Sequence, residues 1–312
     1  MSVNDKIKKT MVEDMELKYF YSSSENYLKR LEKHDDKTFA SYIELSKTKI
    51  SLGASILDCG CGIGTSSYLL AKEGFNVTAT DVSPLFISEA KKRYTNLLNL
   101  KFFIDDVSKM RFPNRSFDAV CSFDLLEHVI DVKGVLKEMC RVLKNKGLLI
   151  IFMPNHLDPV QHLLGFIKWK SKDEYKPWEA KSRMWTFYQF IRTTFLTIEK
   201  AIGINNKIYN LQPVLSEDKN VCGKDFDATW LTNWFDIENT LKELGFSIGC
   251  VFPQNFEDKI IRMMRALKLP KSLQYFYIKI RKECVIIGVK NETTSKTKAL
   301  FPSILRFKRT LH

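Results

Sequence analysis

The stretch Ile56-Leu-Asp-Cys-Gly-Cys-Gly-Ile-Gly64 constrains this chain more than any other. A short apolar run ends on an acid, and glycines then stand at 60, 62 and 64. Glycine lets a backbone turn tightly and lets a ligand approach the main chain closely. A helix starting at Ser66 would add its free N–H groups. A dinucleotide fingerprint, G-x-G-x-x-G, would need glycine at 65, where Thr65 stands. The Asp58 carboxylate suits a ligand carrying a cationic ammonium better than a pyrophosphate.

The rest of the pattern alternates around this loop. Ser55–Asp58 reads as a strand, and Ser66–Glu73 as a helix closed by Gly74. Asn76–Thr80 is a second strand. Ser83 caps a helix with Pro84 in its first turn, running to about Leu97. Lys101–Ile104 and Phe117–Phe123 are strands, Val132–Leu143 a helix, and Gly147–Met153 a fully apolar strand. Strands apolar on both faces and separated by helices predict a parallel sheet with helices on either side, an α/β fold. Residues 1–54 read as helical, with Tyr27, Leu28, Leu31, Phe39, Tyr42, Ile43 and Leu45 at helical spacing. The rhythm breaks after Pro154-Asn155 and resumes with a helix at Asp236–Leu244 and strands at Ser247–Phe252 and Cys284–Val289. A basic amphipathic helix is expected between those strands, over 257–269, with Ile260, Met263, Met264 and Leu267 on one face. The expected organisation is a helical segment over 1–54, a core split between 55–154 and 231–290, an insertion over 155–230, and a basic tail over 291–312.

The glycine loop resembles the first motif of class I S-adenosylmethionine (SAM)-dependent methyltransferases, closest to the group that includes ubiquinone and menaquinone methyltransferases. The resemblance continues at the intervals the family shows. Asp81 ends the second strand. Asp105-Asp106-Val-Ser-Lys-Met-Arg-Phe112 resembles G-D-A-x-x-L-P-F. Phe117–Val129 contains Leu126-Glu-His-Val129, and Leu143-Lys-Asn-Lys-Gly-Leu-Leu-Ile-Ile151 resembles R-V-L-K-P-G-G. Departures are Asp105 for Gly, Arg111 for Pro, and Asn145-Lys146 for Pro-Gly. The resemblance is good over roughly 50–154 and looser over 231–290. It implies a Rossmann-like seven-stranded sheet whose last strand is antiparallel and inserted beside the fifth. It also implies SAM as cofactor, held by Asp58, Gly60, Cys61, Gly62, Gly64, Asp81, Val82, Asp106, Val107 and Phe123. Asp81 would take the ribose hydroxyls and Asp106 the adenine amino group. Each acid has a plainer alternative, a helix cap or a turn, yet their spacing fits one ligand.

Methyl transfer needs a positioned nucleophile, and a base only where the acceptor is a hydroxyl or an acidic carbon. His128, following the fourth strand at the carboxyl edge of the sheet, is the candidate base, with packing or capping as the competing role. Asp124, Glu127 and His156 are weaker candidates. Asp225 and Asp227 could bind a polar acceptor, though ordering a loop suits them better. The insertion carries Trp169, Trp178, Trp185 and Trp230, with Trp234 beyond, and is expected to fold over the sheet edge as a substrate lid. Trp178, Trp185, Phe187 and Tyr188 could stack on an acceptor or form the insertion's own core.

The net charge of +13 is concentrated at one end: residues 259–312 hold 14 Lys and Arg against 2 acids, leaving the remainder nearly neutral. Mixed basic and apolar residues over 257–312 suit peripheral contact with an anionic membrane, against the alternative of a solvated tail. No apolar run approaches the roughly 20 residues that cross a bilayer, and no signal region is apparent, so a cytoplasmic protein, peripheral to the membrane, is expected. The seven cysteines show no metal-ligand spacing; reduced thiols and no bound metal are expected. The function expected is methyl transfer, to oxygen or carbon, on a small-molecule, glycan or lipid-linked acceptor. An RNA methyltransferase ranks lower, because Ser122-Phe-Asp-Leu125 stands where N-P-P-Y would. A SAM-binding protein without turnover is the remaining alternative.

Overall fold

Adjacent residues of the first strand enter opposite cores: Ile56 packs with Tyr42, Leu70, Ile87 and Ile150, and Leu57 with Val120, Leu136, Ile151 and Trp234. That two-residue alternation, with both faces apolar, makes this a central strand covered by helices on both sides. In the computed structural model, residues 3–167, 182–216, 226–250, 263–264, 266–280 and 283–292 are described.

The strands are β1 (Ser55–Cys59), β2 (Asn76–Asp81), β3 (Leu100–Ile104), β4 (Phe117–Phe123), β5 (Leu143–Pro154), β6 (Phe246–Cys250) and β7 (Glu283–Lys290), in the order β3-β2-β1-β4-β5-β7-β6. The first five pair in parallel; β7 lies antiparallel between β5 and β6. This is the α/β, Rossmann-like topology that the sequence resemblance implied. It puts the carboxyl ends of β1, β2 and β4 along one edge.

The helices are α1 (Val3–Ser23), α2 (Glu25–Leu31), α3 (Asp36–Lys49), α4 (Thr65–Lys72), α5 (Pro84–Arg93), α6 (Val132–Val142), α7 (Pro159–Ile167), α8 (Arg183–Ala201), α9 (Trp234–Glu243) and α10 (Lys271–Lys279), with a 3-10 turn at Leu126–His128. Ser83 caps α5 as expected, accepting from the Phe86 N–H. The helix ends at Arg93 rather than near Leu97. Tyr94 leaves the helical path to stack on Tyr68 at 4.4 Å and on Phe102. Strand β5 begins at Leu143, four residues before the expected Gly147, across a register shift opposite Phe117–Ala119. Most of the helix expected over 257–269 lies outside the described residues. Of its apolar face, Met264 is buried while Met263 and Leu267 are exposed.

Candidate active site

The glycine loop turns where β1 ends, and the turn needs glycine. Gly60 has φ +68° and Gly64 φ +84°, both in the region that side chains resist. A methyl group on Gly60 would come within 2.7 Å of Leu125, and one on Gly64 within 2.6 Å of the Phe102 ring. The loop therefore serves both the turn and the close packing of helix on strand. The Gly62 N–H donates to Asp81 Oδ2 at 2.9 Å and the Cys61 N–H to the Thr80 carbonyl at 2.9 Å, locking the β1 and β2 ends together.

A cavity of about 440 Å³ opens on this edge. Gly60, Cys61, Gly62, Asp81, Val82, Asp106, Val107 and Phe123 all line it, and so does His128. Asp58 and Gly64 do not. Asp58 is buried beneath the loop, where its carboxylate accepts from Tyr42 Oη at 2.9 Å, Ser66 Oγ at 2.9 Å and Ser67 Oγ at 2.6 Å. Burial raises its pKa despite these three donors. These bonds tie β1 to α3 and to the first turn of α4, so Asp58 braces the loop from below.

Asp81 faces the cavity with one oxygen taking the Gly62 N–H and the other the Ser83 N–H at 2.9 Å. A carboxylate has about four acceptor positions, so capacity for a pair of hydroxyls remains. Burial pushes this carboxyl up to about 6, against the backbone donors of Ser83, Gly62 and Val82. Asp106 Oδ1 accepts from the Ser108 N–H at 2.8 Å and Ser108 Oγ at 2.7 Å, and Oδ2 from Lys18 Nζ at 2.6 Å. Burial works against its charged form, but Lys18 and Ser108 outweigh it and hold the carboxyl below its usual range.

At the other end of the cavity, His128 sits on the 3-10 turn after β4. Its Nδ1 lies 3.5 Å from Asp227 Oδ2, and its Nε2 lies 3.7 Å from Glu127 Oε1. Tyr21 Oη donates to the same Asp227 oxygen at 2.6 Å, and its ring stands edge-on to the imidazole at 5.7 Å. Burial and the Asp227 charge push the Tyr21 hydroxyl well above its ordinary pKa, so it stays a donor. The turn is held from 227–230. The Trp230 indole N–H donates to the Leu126 carbonyl at 2.7 Å, and Thr229 donates to the carbonyls of Glu127 and Val129.

No motif marked the residues that close the cavity. Lys18 and Tyr21 of α1, Arg30 of α2, and His34 and Phe39 line it, whereas their spacing indicated only helices. Asp124, at φ +49°, also lines it. Asp225 and Trp178 lie outside the described residues. His156 is not at this site: it pairs with Thr232 at 2.9 Å and lines a separate cavity of about 80 Å³ with His162. Trp185, Phe187 and Tyr188 do not line the large cavity; Phe187 packs on Phe166, and Tyr188 is exposed.

The residues present fit an adenosyl cofactor. A glycine cradle with no room for a methyl, an acceptor pair at Asp81, an acid at Asp106 and the aromatic Phe123 follow one another around the cavity. Comparison with known proteins agrees. Residues 57–151 match a protein family described as a methyltransferase domain. A 2-methyl-6-phytyl-1,4-hydroquinone methyltransferase from Synechocystis sp. is 32% identical over 185 residues, 59% of this chain and 53% of that protein. A demethylmenaquinone methyltransferase from Tropheryma whipplei is 32% identical over 107 residues, 34% of this chain and 44% of that one. The chain thus spans about half the length of these curated relatives. An S-adenosylmethionine-dependent methyltransferase from Mesorhizobium loti superposes with a TM-score of 0.50 at 14% identity, over 82% of this chain and 98% of that one, a likeness of fold.

Proposed function

We propose that this chain, whose residues 57–151 carry a methyltransferase domain, transfers a methyl group from SAM to a hydroxyl-bearing small molecule of the quinol type. One observation carries the reading: the glycine loop, Asp81 and His128 open into a single cavity of about 440 Å³. Bound SAM supplies an electrophilic methyl on a sulfonium. The chain then has to place the acceptor in line with it and take up the proton that the acceptor loses. His128 is the base, with the Asp227 carboxylate 3.5 Å from its Nδ1. An acceptor O–H would give its proton to the imidazole as its oxygen takes up the methyl that bound SAM would supply. Asp81 and Asp106 hold the ribose and the adenine. Asp58 keeps the loop in shape from below.

The quinol class is favoured by the names of the Synechocystis and Tropheryma relatives. Among the described residues, no helix is long and apolar enough to cross a membrane. The +12 charge of residues 259–312 supports peripheral contact of that segment with anionic lipid.

Calorimetric titration with SAM, S-adenosylhomocysteine and NAD tests the cofactor. Micromolar binding of both adenosyl ligands, weakened in Asp81→Ala and absent for NAD, is expected; preference for NAD refutes the reading. A radiolabelled methyl-transfer assay on reduced quinols then compares wild type with His128→Ala. Retained SAM binding with lost turnover is expected. Equal turnover would remove His128 as base, and no turnover in either protein on any quinol would favour binding without catalysis.

A further inference from the structure

Helix α8 is built inside out. The residues it buries are mostly polar: Thr186, Gln189, Thr193, Thr197 and Lys200, with Leu196 the one apolar member. Four of these five polar side chains find partners within the fold, as when Lys200 reaches Asp236 at 2.6 Å and Thr193 the Gln189 carbonyl at 2.7 Å, while the Thr197 hydroxyl is buried without one. The opposite side carries Met184, Tyr188, Ile191, Phe195, Ile198 and Ile202, between 39% and 68% exposed. Alternating steps of four and three residues place these six on one stripe, about 27 Å long at 1.5 Å per residue. A helix on a globular surface normally turns its apolar stripe inward. Here the fold is served by the polar side, and the apolar stripe is left for something else.

We propose that this stripe docks on an anionic bilayer, with α8 lying in the plane of the headgroups. The charges on the helix favour that occupant. Its exposed charged side chains, Arg183 and Arg192, are cationic. Its one acid, Glu199, is half-buried and held by Asn205 at 2.9 Å. Cations beside an apolar stripe are the composition of interfacial helices, and Tyr188 and Phe195 supply aromatic rings suited to headgroup depth. Helix α7, packed against α8, adds exposed Leu164 and Ile167.

A second copy of the chain fits the stripe less well. The 19 residues of α8 fall short of the three to four heptads that sustain a coiled coil. Its flanks at 185, 187, 192, 194, 199 and 201 are Trp, Phe, Arg, Thr, Glu and Ala, not the ladder of opposite charges that fixes helix pairing. The proposal goes beyond the catalytic reading and uses none of the residues in the 257–312 segment.

The test is flotation of the full chain with phosphatidylcholine vesicles containing one-third phosphatidylglycerol. Wild type floats, and Tyr188→Glu/Phe195→Glu lowers the vesicle-bound fraction at least tenfold, with helical content and thermal midpoint unchanged. Ile198→Ser/Ile202→Ser is the second variant should the first fail to fold, with the same loss expected. Neutralising Arg306, Lys308 and Arg309 to Gln weakens binding through the tail's own contact with anionic lipid, but leaves the loss caused by the stripe variants in place. The proposal is overturned if wild type stays with the aqueous fraction, if both stripe variants float like wild type, or if only the tail variant loses binding. Equal flotation with pure phosphatidylcholine overturns the anionic requirement. A wild-type dimer by light scattering that the stripe variants dissociate, without flotation, assigns the stripe to a second copy instead. Turnover on a soluble quinol stays at the wild-type level in the stripe variants, so failure here and failure of the catalytic reading are told apart.

Discussion

Cofactor affinity should depend on the ionisation of Asp81, and the dependence can be worked out in advance. Burial holds this carboxyl at about 6 in the free protein, well above the 3.8 of an ordinary aspartate. The sign follows from the raised value. The site contributes most to folding stability below pH 3.8, and that contribution is lost as pH rises through about 6. Keeping the group ionised at pH 7 thus costs the free fold about 3 kcal/mol, at about 1.4 kcal/mol per pH unit. Ribose hydroxyls donating to the carboxylate favour the charged form and offset part of that cost. Bound cofactor then prefers the ionised site, and affinity falls as pH drops through 6. For a free-state pKa of about 6 and a bound-state value below 5, Kd for S-adenosylhomocysteine rises about tenfold from pH 7 to pH 5. Asp81→Asn removes the titration and sets an amide N–H₂ against the Gly62 or Ser83 N–H. Two weakened charge-assisted bonds at about 1.5–3 kcal/mol each, partly retained by the amide oxygen, predict a loss of about 30- to 150-fold at pH 7. Calorimetry at four pH values on both proteins is the assay. A flat wild-type Kd refutes the argument. So does an equal slope in Asp81→Asn, which would move the titration to a group such as His34, whose imidazole is held below its usual range by burial and by Arg30.

Lys200→Met should lower unfolding free energy by about 3–5 kcal/mol in urea titration, because it strands the buried Asp236 charge; adding Asp236→Asn should restore part of the loss. Tyr42→Phe removes one of three donors from Asp58 and should cost about 1–2 kcal/mol by the same measurement. Trp230→Phe leaves the Leu126 carbonyl without its 2.7 Å indole partner. It should reduce kcat on a quinol acceptor severalfold while leaving Kd for S-adenosylhomocysteine unchanged, as direct titration would show.

The cofactor end of the site was legible because its parts are contiguous and its chemistry is local. A glycine loop, an acid closing each of two strands, and an acid after a third follow from short-range spacing. The strand order came from the family resemblance, and the pairing of β7 with both β5 and β6 agrees. Around the end of the fourth strand the sequence pointed to His128 and, as weaker candidates, to Asp124, Glu127 and Asp227. Lys18 and Tyr21 read as ordinary polar positions on a charged helix, because nothing in a helical period says that a lysine 88 residues away will meet Asp106. Trp185, Phe187 and Tyr188 were left between stacking on an acceptor and forming the insertion's own core, and none of the three lines the large cavity. Aromatic content marks surfaces that must be covered, but not which surface covers them. On α8 the polar face anchored by Lys200 and Asp236 is the buried one, Tyr188 is exposed, and Phe187 packs on Phe166.

The two ends of the cavity therefore assemble by different rules. Residues 58–81 shape the glycine-loop side through bonds that form once the first two strands pair. The His128 side needs three distant segments at once. One oxygen of Asp227 accepts from Tyr21 on α1 and approaches His128 on the 3-10 turn, and Trp230, three residues on, fixes that turn through the Leu126 carbonyl. Tyr21 and Asp227 are 206 residues apart. Displacing α1 would remove a donor from Asp227 and uncover Asp106 at the same time, since Lys18 lies one helical turn before Tyr21. The cover over Asp106 and the surroundings of His128 thus depend on the same helix. A substitution that loosens α1 should impair both binding and turnover, whereas one in the 227–230 segment should impair turnover alone.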